Sequence, residues 1–452
     1  MALKNLSIGC ASVAALACGI GLAAPAAALS LEEAVSIAIH THPTIAAARN
    51  LMTAADAGVS QARAGFFPTI DARVAEGPAR TTNGTTRARA TRSPTSPQSD
   101  FYFRLDSSLT ITQSLLDGGL TRNSTNAARA TFDAAGFQLL DSGEAIGLRA
   151  VSSYLDVIRS RALLDLARDN VLQHQDIADR ILFQVDAGGA STADLDQATA
   201  RTALAEATVA QFQGGLRSAE ANYLESVGSA PETLEFPISP TDFLPPSAED
   251  AVLDLVHTSP SVQASRRTIL ARENDIGAAR ASFLPRVSLE LRGSRGENAG
   301  GSKGPSNDFT ALVIIDYNLF RGGGDTARLR SAKALRSEAR NREYEARRLI
   351  EQNTRLSFIA YEIARDRVPL LLDQVEATES ALAAYYEQFK LGERSLLDLL
   401  DVENEAFGAR AALLNGRIDL LTSQYRILAS VGRLLSSLAV SIDLSVIDKL
   451  ED

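Results

Sequence analysis

Two stretches of chain set the terms for everything else: Leu120–Ala187 contains no proline, and Asp325–Leu391 contains no glycine and only Pro369. As single helices of ~65 residues they would each extend ~100 Å at 1.5 Å per residue, far beyond a globular helix. Only packing against parallel neighbours sustains such lengths. Each stretch ends in the same punctuation: Gly392, Ser395 and Asp398 repeat Gly188, Ser191 and Asp194 at a spacing of 204 positions. A glycine where a helix needs a left-handed residue, then a Ser-x-x-Asp capping box, is a tight hinge into a second helix. The chain is therefore read as an internal duplication, and the fold as mainly α.

Residues 1–28 precede the repeats. Lys4, an apolar run from Ile8 to Ala24 and the small residues Ala26–Ala28 are read as a secretory signal peptide. Cys10 and Cys18 are the only cysteines and both fall inside it, so the mature chain needs no disulfide. Lipoprotein processing at Cys18 is the minority alternative. Without these residues 44 basic side chains stand against 55 acidic ones, which argues against nucleic acid as a partner. No later run is apolar enough for a transmembrane helix.

Repeat 1 is taken as 29–245 and repeat 2 as 246–452. Each opens with an amphipathic helix broken at His42-Pro43 or Ser259-Pro260, with proline in the first turn of the next helix. Each then passes through Phe67-Pro68 or Leu284-Pro285 into strand-like sequence. Phe101, Phe103, Leu105, Ser107, Leu109 and Ile111 alternate with Tyr102, Arg104, Asp106, Ser108, Thr110 and Thr112, and Val287, Leu289 and Leu291 alternate with Ser288, Glu290 and Arg292. A period of two with charge on one face suits a β-strand between lipid and water, although a soluble sheet with one wet face gives the same pattern. The polar stretches Gly77–Ser99 and Gly293–Asn307 are expected to be exposed hairpin loops. The offset between repeats is larger here than at the hinges, so repeat 1 carries extra residues in this region. Four strands cannot close a useful barrel, and open edges in lipid are forbidden. The protomer is expected to be one part of an oligomer.

Beyond the hinge, Leu400, Phe407, Leu414, Leu421, Leu428 and Leu435 recur every seven residues, and the small residues Ala193, Ala200, Ala207, Gly214 and Ala221 do so in repeat 1. Small residues facing large ones are expected to give close, unequal packing. The glycine steps Gly118-Gly119 and Gly322-Gly323-Gly324 lack the Lys and Ser/Thr of a P-loop and read as strand-to-helix joints. His40, His42, His174 and His257 show no metal-ligand spacing. Neither an enzyme nor a cofactor is expected.

This order of elements, given twice, and above all Phe389-Lys-Leu-Gly392-Glu-Arg394-Ser395-Leu-Leu-Asp398-Leu-Leu-Asp401, resembles the TolC family of outer-membrane channel proteins, most closely members serving type I protein secretion. The resemblance implies a homotrimer in outer-membrane lipid, with a twelve-stranded transmembrane β-barrel (four strands per protomer) continuous with a long periplasmic α-helical barrel. It implies partners too: a periplasmic adaptor protein and an inner-membrane ABC or other transporter. The hinges at Gly188, Ser191, Gly392 and Ser395 become the periplasmic tips, and Asp398, Asp401, Arg394 and Asp194 a periplasmic gate or constriction, with Arg394 and Asp194 as leading candidates for bonds between hinges. Asp398 and Asp401 are three apart on one helical face, so a threefold axis would gather their carboxylates; simple helix capping by Asp398 is the bland alternative. The expected function is a passive conduit for type I protein secretion. The alternatives are small-molecule (drug or metal) efflux through the same kind of channel and, more distantly, a non-channel coiled-coil surface protein.

Overall fold

The computed structural model describes residues 28–93, 95, 100–299 and 303–442; the expected signal peptide lies outside them except for Ala28. The first half runs α1 (Leu31–Thr41), α2 (Pro43–Arg63), β1 (Thr69–Thr81), α3 (Gly84–Arg92), β2 (Asp100–Leu116), α4 (Leu120–Asp186) and α5 (Thr192–Val227). The second runs α6 (Ala248–Thr258), α7 (Pro260–Arg280), β3 (Arg286–Glu297), β4 (Pro305–Asp316), α8 (Gly324–Lys390), α9 (Leu396–Ser430) and α10 (Leu434–Ser437). α4 and α8 are 67 residues each, and α8 continues through Pro369. At the break between α1 and α2, His42 caps: its Nδ1 accepts the Thr44 N–H at 3.1 Å.

The four strands form one antiparallel sheet in the order β1-β2-β3-β4, so β2 and β3 join the two halves. Residues directly opposite one another share a face. The row Ile70, Ile111, Leu291, Ala311 crosses all four strands, as does Ala72, Leu109, Gly293, Phe309. The opposite face carries the rows Asp71, Thr110, Arg292, Thr310 and Arg73, Ser108, Ser294, Asp308. Ile70, Val74, Phe309, Val313 and Ile315 all stand exposed on the protomer. Such a belt is stable where its surroundings are hydrocarbon, with the polar rows turned to water. Among the described residues no helix is long and apolar enough to cross a membrane.

Two expected loops are shorter than the sequence suggested. β1 continues through Pro78, which pairs in register with Phe103; within the protomer β1 is an edge strand, where proline is found. Residues 84–92 then form α3, started by Asn83, whose side chain accepts the Thr86 N–H at 3.1 Å. The extra residues of repeat 1 thus build a helix. In the other hairpin β3 reaches Glu297 and β4 begins at Pro305.

Below the sheet the helices lie side by side. α4 and α8 run the full length, joined nearest the sheet by α2 and α7 in the order α2-α4-α7-α8 and further away by α5 and α9 in the order α5-α4-α9-α8. The main core lies where the two sets meet, with Tyr154, Tyr223, Tyr425, Leu155, Ile39 and Leu428 buried. The Tyr154 hydroxyl donates towards the carbonyls of Leu29 at 2.8 Å and Glu235 at 2.6 Å, tying the chain's entry and the link between halves to α4.

The seven-residue leucine stripe is only partly one helix face. Leu400, Leu421, Leu428 and Leu435 are buried and Leu414 is packed against the core, but Phe407 is only half-buried. The helix also stops at Ser430, where Gly432 takes φ 70° and turns the chain into α10. The small residues Ala193, Ala200, Ala207, Gly214 and Ala221 do not face this stripe; they are exposed. Residues two positions away, Ala198, Ala205 and Ala219, fill the interior of α5 instead. Leu421→Ala is expected to cost ~2–5 kcal/mol as a buried truncation, read as a lower thermal midpoint, and Leu414→Ala less; equal small effects would show that the stripe is not packed.

Candidate functional site

The two hinges come together at the end of the helices remote from the sheet. In the first, Gly188 has φ 75° and the Gly189 N–H bonds back to the Gln184 carbonyl at 2.7 Å. In the second, Gly392 has φ 75° and the Glu393 N–H reaches the Gln388 carbonyl at 2.9 Å. A left-handed residue satisfies the last helical carbonyls in this way, and a Cβ there would strain the turn. Ser191 and Ser395 then start α5 and α9. Their hydroxyls accept the N–H groups of Asp194 and Asp398, both at 3.2 Å, and donate to the same carboxylates at 2.8 Å. The bonds from Ser191 hold the Asp194 carboxyl below its ordinary range.

An apolar cluster of Ile177, Ile181 and Ala198 with Leu396, Leu399, Leu400 and Val402 locks the two hairpins together. Tyr385, Tyr386 and Phe389 pack around it. Three polar links sit on this cluster. Arg201 of α5 donates from Nη2 to Asp401 Oδ1 of α9 at 2.9 Å. Tyr386 of α8 donates its hydroxyl to Asp176 Oδ2 of α4 at 3.3 Å, and Arg180 donates to the same oxygen at 2.8 Å, which lowers the Asp176 pKa. The third is cationic: Arg180 and Lys390 both lie over the Tyr386 ring, at 5.4 and 4.5 Å.

The sequence-derived residues are thus partly redistributed. Asp398 caps α9, and Asp401, on the next turn, is held by Arg201. Arg394 turns to its own hinge: it lies 4.2 Å over the Tyr385 ring, donates to Gln388 at 2.9 Å and approaches Asp398 at 3.9 Å. Among the described residues of one protomer no ion pair joins Arg394 to Asp194. A three-carbon stem on a tight turn reaches the nearest ring and amide before it reaches the other hairpin. Sequence reasoning missed Arg201, Asp176, Arg180 and Tyr386. The i,i+4 spacing of Asp176 and Arg180 was visible as an ion pair, but the cross-repeat partners Tyr386 and Asp401 were not.

Just beyond Arg201, towards the core, His174 is buried, with Nδ1 left without a hydrogen-bond partner. Burial and the neighbouring Arg201 charge lower its pKa, so it stands neutral at pH 7. Among the described residues no group of three or more His, Cys, Asp or Glu could hold a metal ion. What the tip can do chemically is screen or attract ions and hold two helical hairpins together.

The profile of the family described as outer membrane efflux protein matches residues 34–229 and 254–433, both halves of the chain. Outer membrane efflux protein BepC of Brucella suis is 26% identical over 339 residues, 75% of this chain and 74% of that one. Toluene efflux pump outer membrane protein TtgF of Pseudomonas putida is 26% identical over 364 residues, 77% of this chain and 74% of that one. The fold is shared with the Campylobacter jejuni outer membrane channel CmeC, at a TM-score of 0.79 and 16% identity over 93% of this chain and 89% of that one. The outer-membrane channel OprN superposes at 0.76 with 23% identity over 89% of each chain. Four strands with two open edges and four helices with two free edges are the third part of such a channel, in which the strands make the outer-membrane barrel and the helices the periplasmic one. Matched through both halves and alike in fold nearly end to end, the chain belongs to the outer membrane efflux protein family, whose trimeric, non-enzymatic channels work with periplasmic adaptors and inner-membrane transporters.

Proposed function

We propose that the protein is the passive outer-membrane conduit of a tripartite pump that expels small lipophilic compounds. The observation that carries this reading is the efflux-family match through both halves, together with relatives named for efflux over about three quarters of the chain, one of them for toluene. It replaces the expectation of type I protein secretion, which rested on the resemblance carried above all by the hinge motif. That motif is a helix-turn-helix device, satisfied by Schellman turns and capping boxes whatever passes the tip. The drive comes from an inner-membrane transporter, of the ABC type or another, reached through a periplasmic adaptor.

The two hinges are then the periplasmic end. Asp398 and Asp401 from three copies line its constriction, Asp194 stands on the neighbouring hairpin, and Arg394 stiffens its own hinge. Deleting the gene should raise susceptibility to organic solvents and lipophilic antibiotics several-fold, with plasmid-borne rescue. Unchanged susceptibility combined with loss of a protein from the culture supernatant would overturn this reading in favour of protein secretion.

A further inference from the structure

In the half of the helical region that ends at the hinges, α5 and α8 are the free edges of the row α5-α4-α9-α8. The free edge of α8 is apolar. Ile359, Ile363 and Leu370 are 50%, 62% and 68% exposed, and they turn away from Ala364, Leu371 and Val375, which are buried in the same stretch of the helix. Water gains nothing from such a ridge.

The free edge of α5 is its complement. Ala198, Ala205, Ala219 and Tyr223 face inward; at 100° per residue, Ala200, Ala207, Gly214 and Ala221 fall on the side turned outward, and all are exposed. Gly214 and Gly215 are the unexplained pair. They sit mid-helix, have no atom within 4 Å of where a Cβ would stand, and show no positive φ. Each costs roughly 1 kcal/mol against alanine in a helix. Nothing within the protomer requires that cost, whereas close approach of another backbone does.

The levels also agree. Both hairpins turn at the same end, so residues equally far along the chain from Gly392 on α8 and from Thr192 on α5 lie at one height. Leu370 then levels with Gly214 and Ile363 with Ala221. Nearer the tip, where α8 itself turns small, Ala377 and Ala384 level with Ala207 and Ala200. The occupant is a second copy of this chain, because the open edges of the sheet already require one on each side, and a head-to-tail contact repeated three times closes a ring.

We infer that α8 of one copy seats its Ile363–Leu370 ridge on the alanine-glycine face of α5 in the next copy, with Leu370 over Gly214. The inference rests on the trimeric-channel reading and adds to it which faces meet and in what register. Large residues on one helix and glycine on the other let the axes approach closely, so the ring is sealed against leakage between copies.

The mature chain offers a clean test, because Cys10 and Cys18 are the only cysteines. Two double variants are made in the full-length protein, Gly214→Cys with Leu370→Cys and Ala221→Cys with Ile363→Cys, and treated with a short thiol oxidant in membranes. Both should give covalent dimer and trimer bands after boiling in detergent. An off-register pair, Gly214→Cys with Leu349→Cys, places the thiols ~30 Å apart along the axis and should give none. A heat-modifiable trimer in which neither in-register pair cross-links, or in which the off-register pair does, overturns the inferred register while leaving the channel reading intact. A wild-type chain that runs as a monomer before boiling overturns the channel reading as well.

Discussion

Arg201→Ala in the assembled channel is expected to raise single-channel conductance in planar bilayers, several-fold to about tenfold. Its guanidinium is the cross-repeat clasp on Asp401 at 2.9 Å, but the Asp401 side chain is 60% exposed, so water screens the pair. An exposed ion pair contributes ~0.2–1 kcal/mol. With three copies acting on one aperture as proposed, ~0.6–3 kcal/mol is lost together, ~3-fold to ~150-fold in an equilibrium at ~1.4 kcal/mol per tenfold, and conductance, capped by the open pore, should rise by the lower part of that range. The three Asp401 carboxylates left unpaired would also repel one another. Arg394→Ser should act less, since its contacts stay within its own hinge. Field and aperture can be separated: Asp398→Asn leaves the Ser395 cap on the Asp398 backbone N–H in place while removing charge, so it should weaken block by multivalent cations from the periplasmic side with little change in conductance. Asp401→Ala should change both. A wild-type conductance in Arg201→Ala would place the constriction elsewhere along the helical barrel.

The second large effect is expected at Glu144, far from the tip. This α4 carboxylate is buried, and its oxygens accept the N–H groups of Leu434 at 3.0 Å and Leu435 at 3.4 Å, holding the start of α10 against the core. Removing it leaves two buried donors without a partner, so Glu144→Ala should cost ~1–3 kcal/mol. Its pH behaviour is more distinctive. Burial pushes the carboxyl up to about 7, against the pull of the two N–H bonds and with Asp141 adding to the rise. Because the folded carboxyl holds its proton more tightly than the unfolded one, the stability it contributes is complete below about 4.5 and is lost as pH rises through about 7. The difference is up to roughly 3 kcal/mol at 1.36 kcal/mol per unit. The wild-type thermal midpoint should therefore fall between pH 5 and pH 8 by more than that of Glu144→Gln. Parallel curves for the two proteins would show that Glu144 is not the titrating group.

Local chemistry alone determined several features. Glycine followed by Ser-x-x-Asp gives a helix stop and a helix start through backbone geometry and bonds between near neighbours. Alternation along Phe101–Thr112 marks a strand by side-chain period, and His42 before Pro43 marks a helix break. These are interactions over a few residues, so they are written where they act. The path of β1 through Pro78 was not legible, because a proline without an N–H reads in sequence as the end of a strand. Nor was α3, which the polar composition of its segment concealed. The tip shows the same division. Asp194 and Asp398 were legible as caps, whereas the clasp of Arg201 on Asp401 and the bond of Tyr386 to Asp176 join residues about 200 positions apart and exist only because the apolar cluster of Ile177, Ile181, Leu399 and Leu400 holds the hairpins side by side. The alanine-glycine stripe of α5 was visible as a period of seven, but its direction was not. Period gives a face; only packing decides whether that face turns inward, as Ala198 and Ala205 do, or outward to the next copy, as Ala207 and Gly214 do.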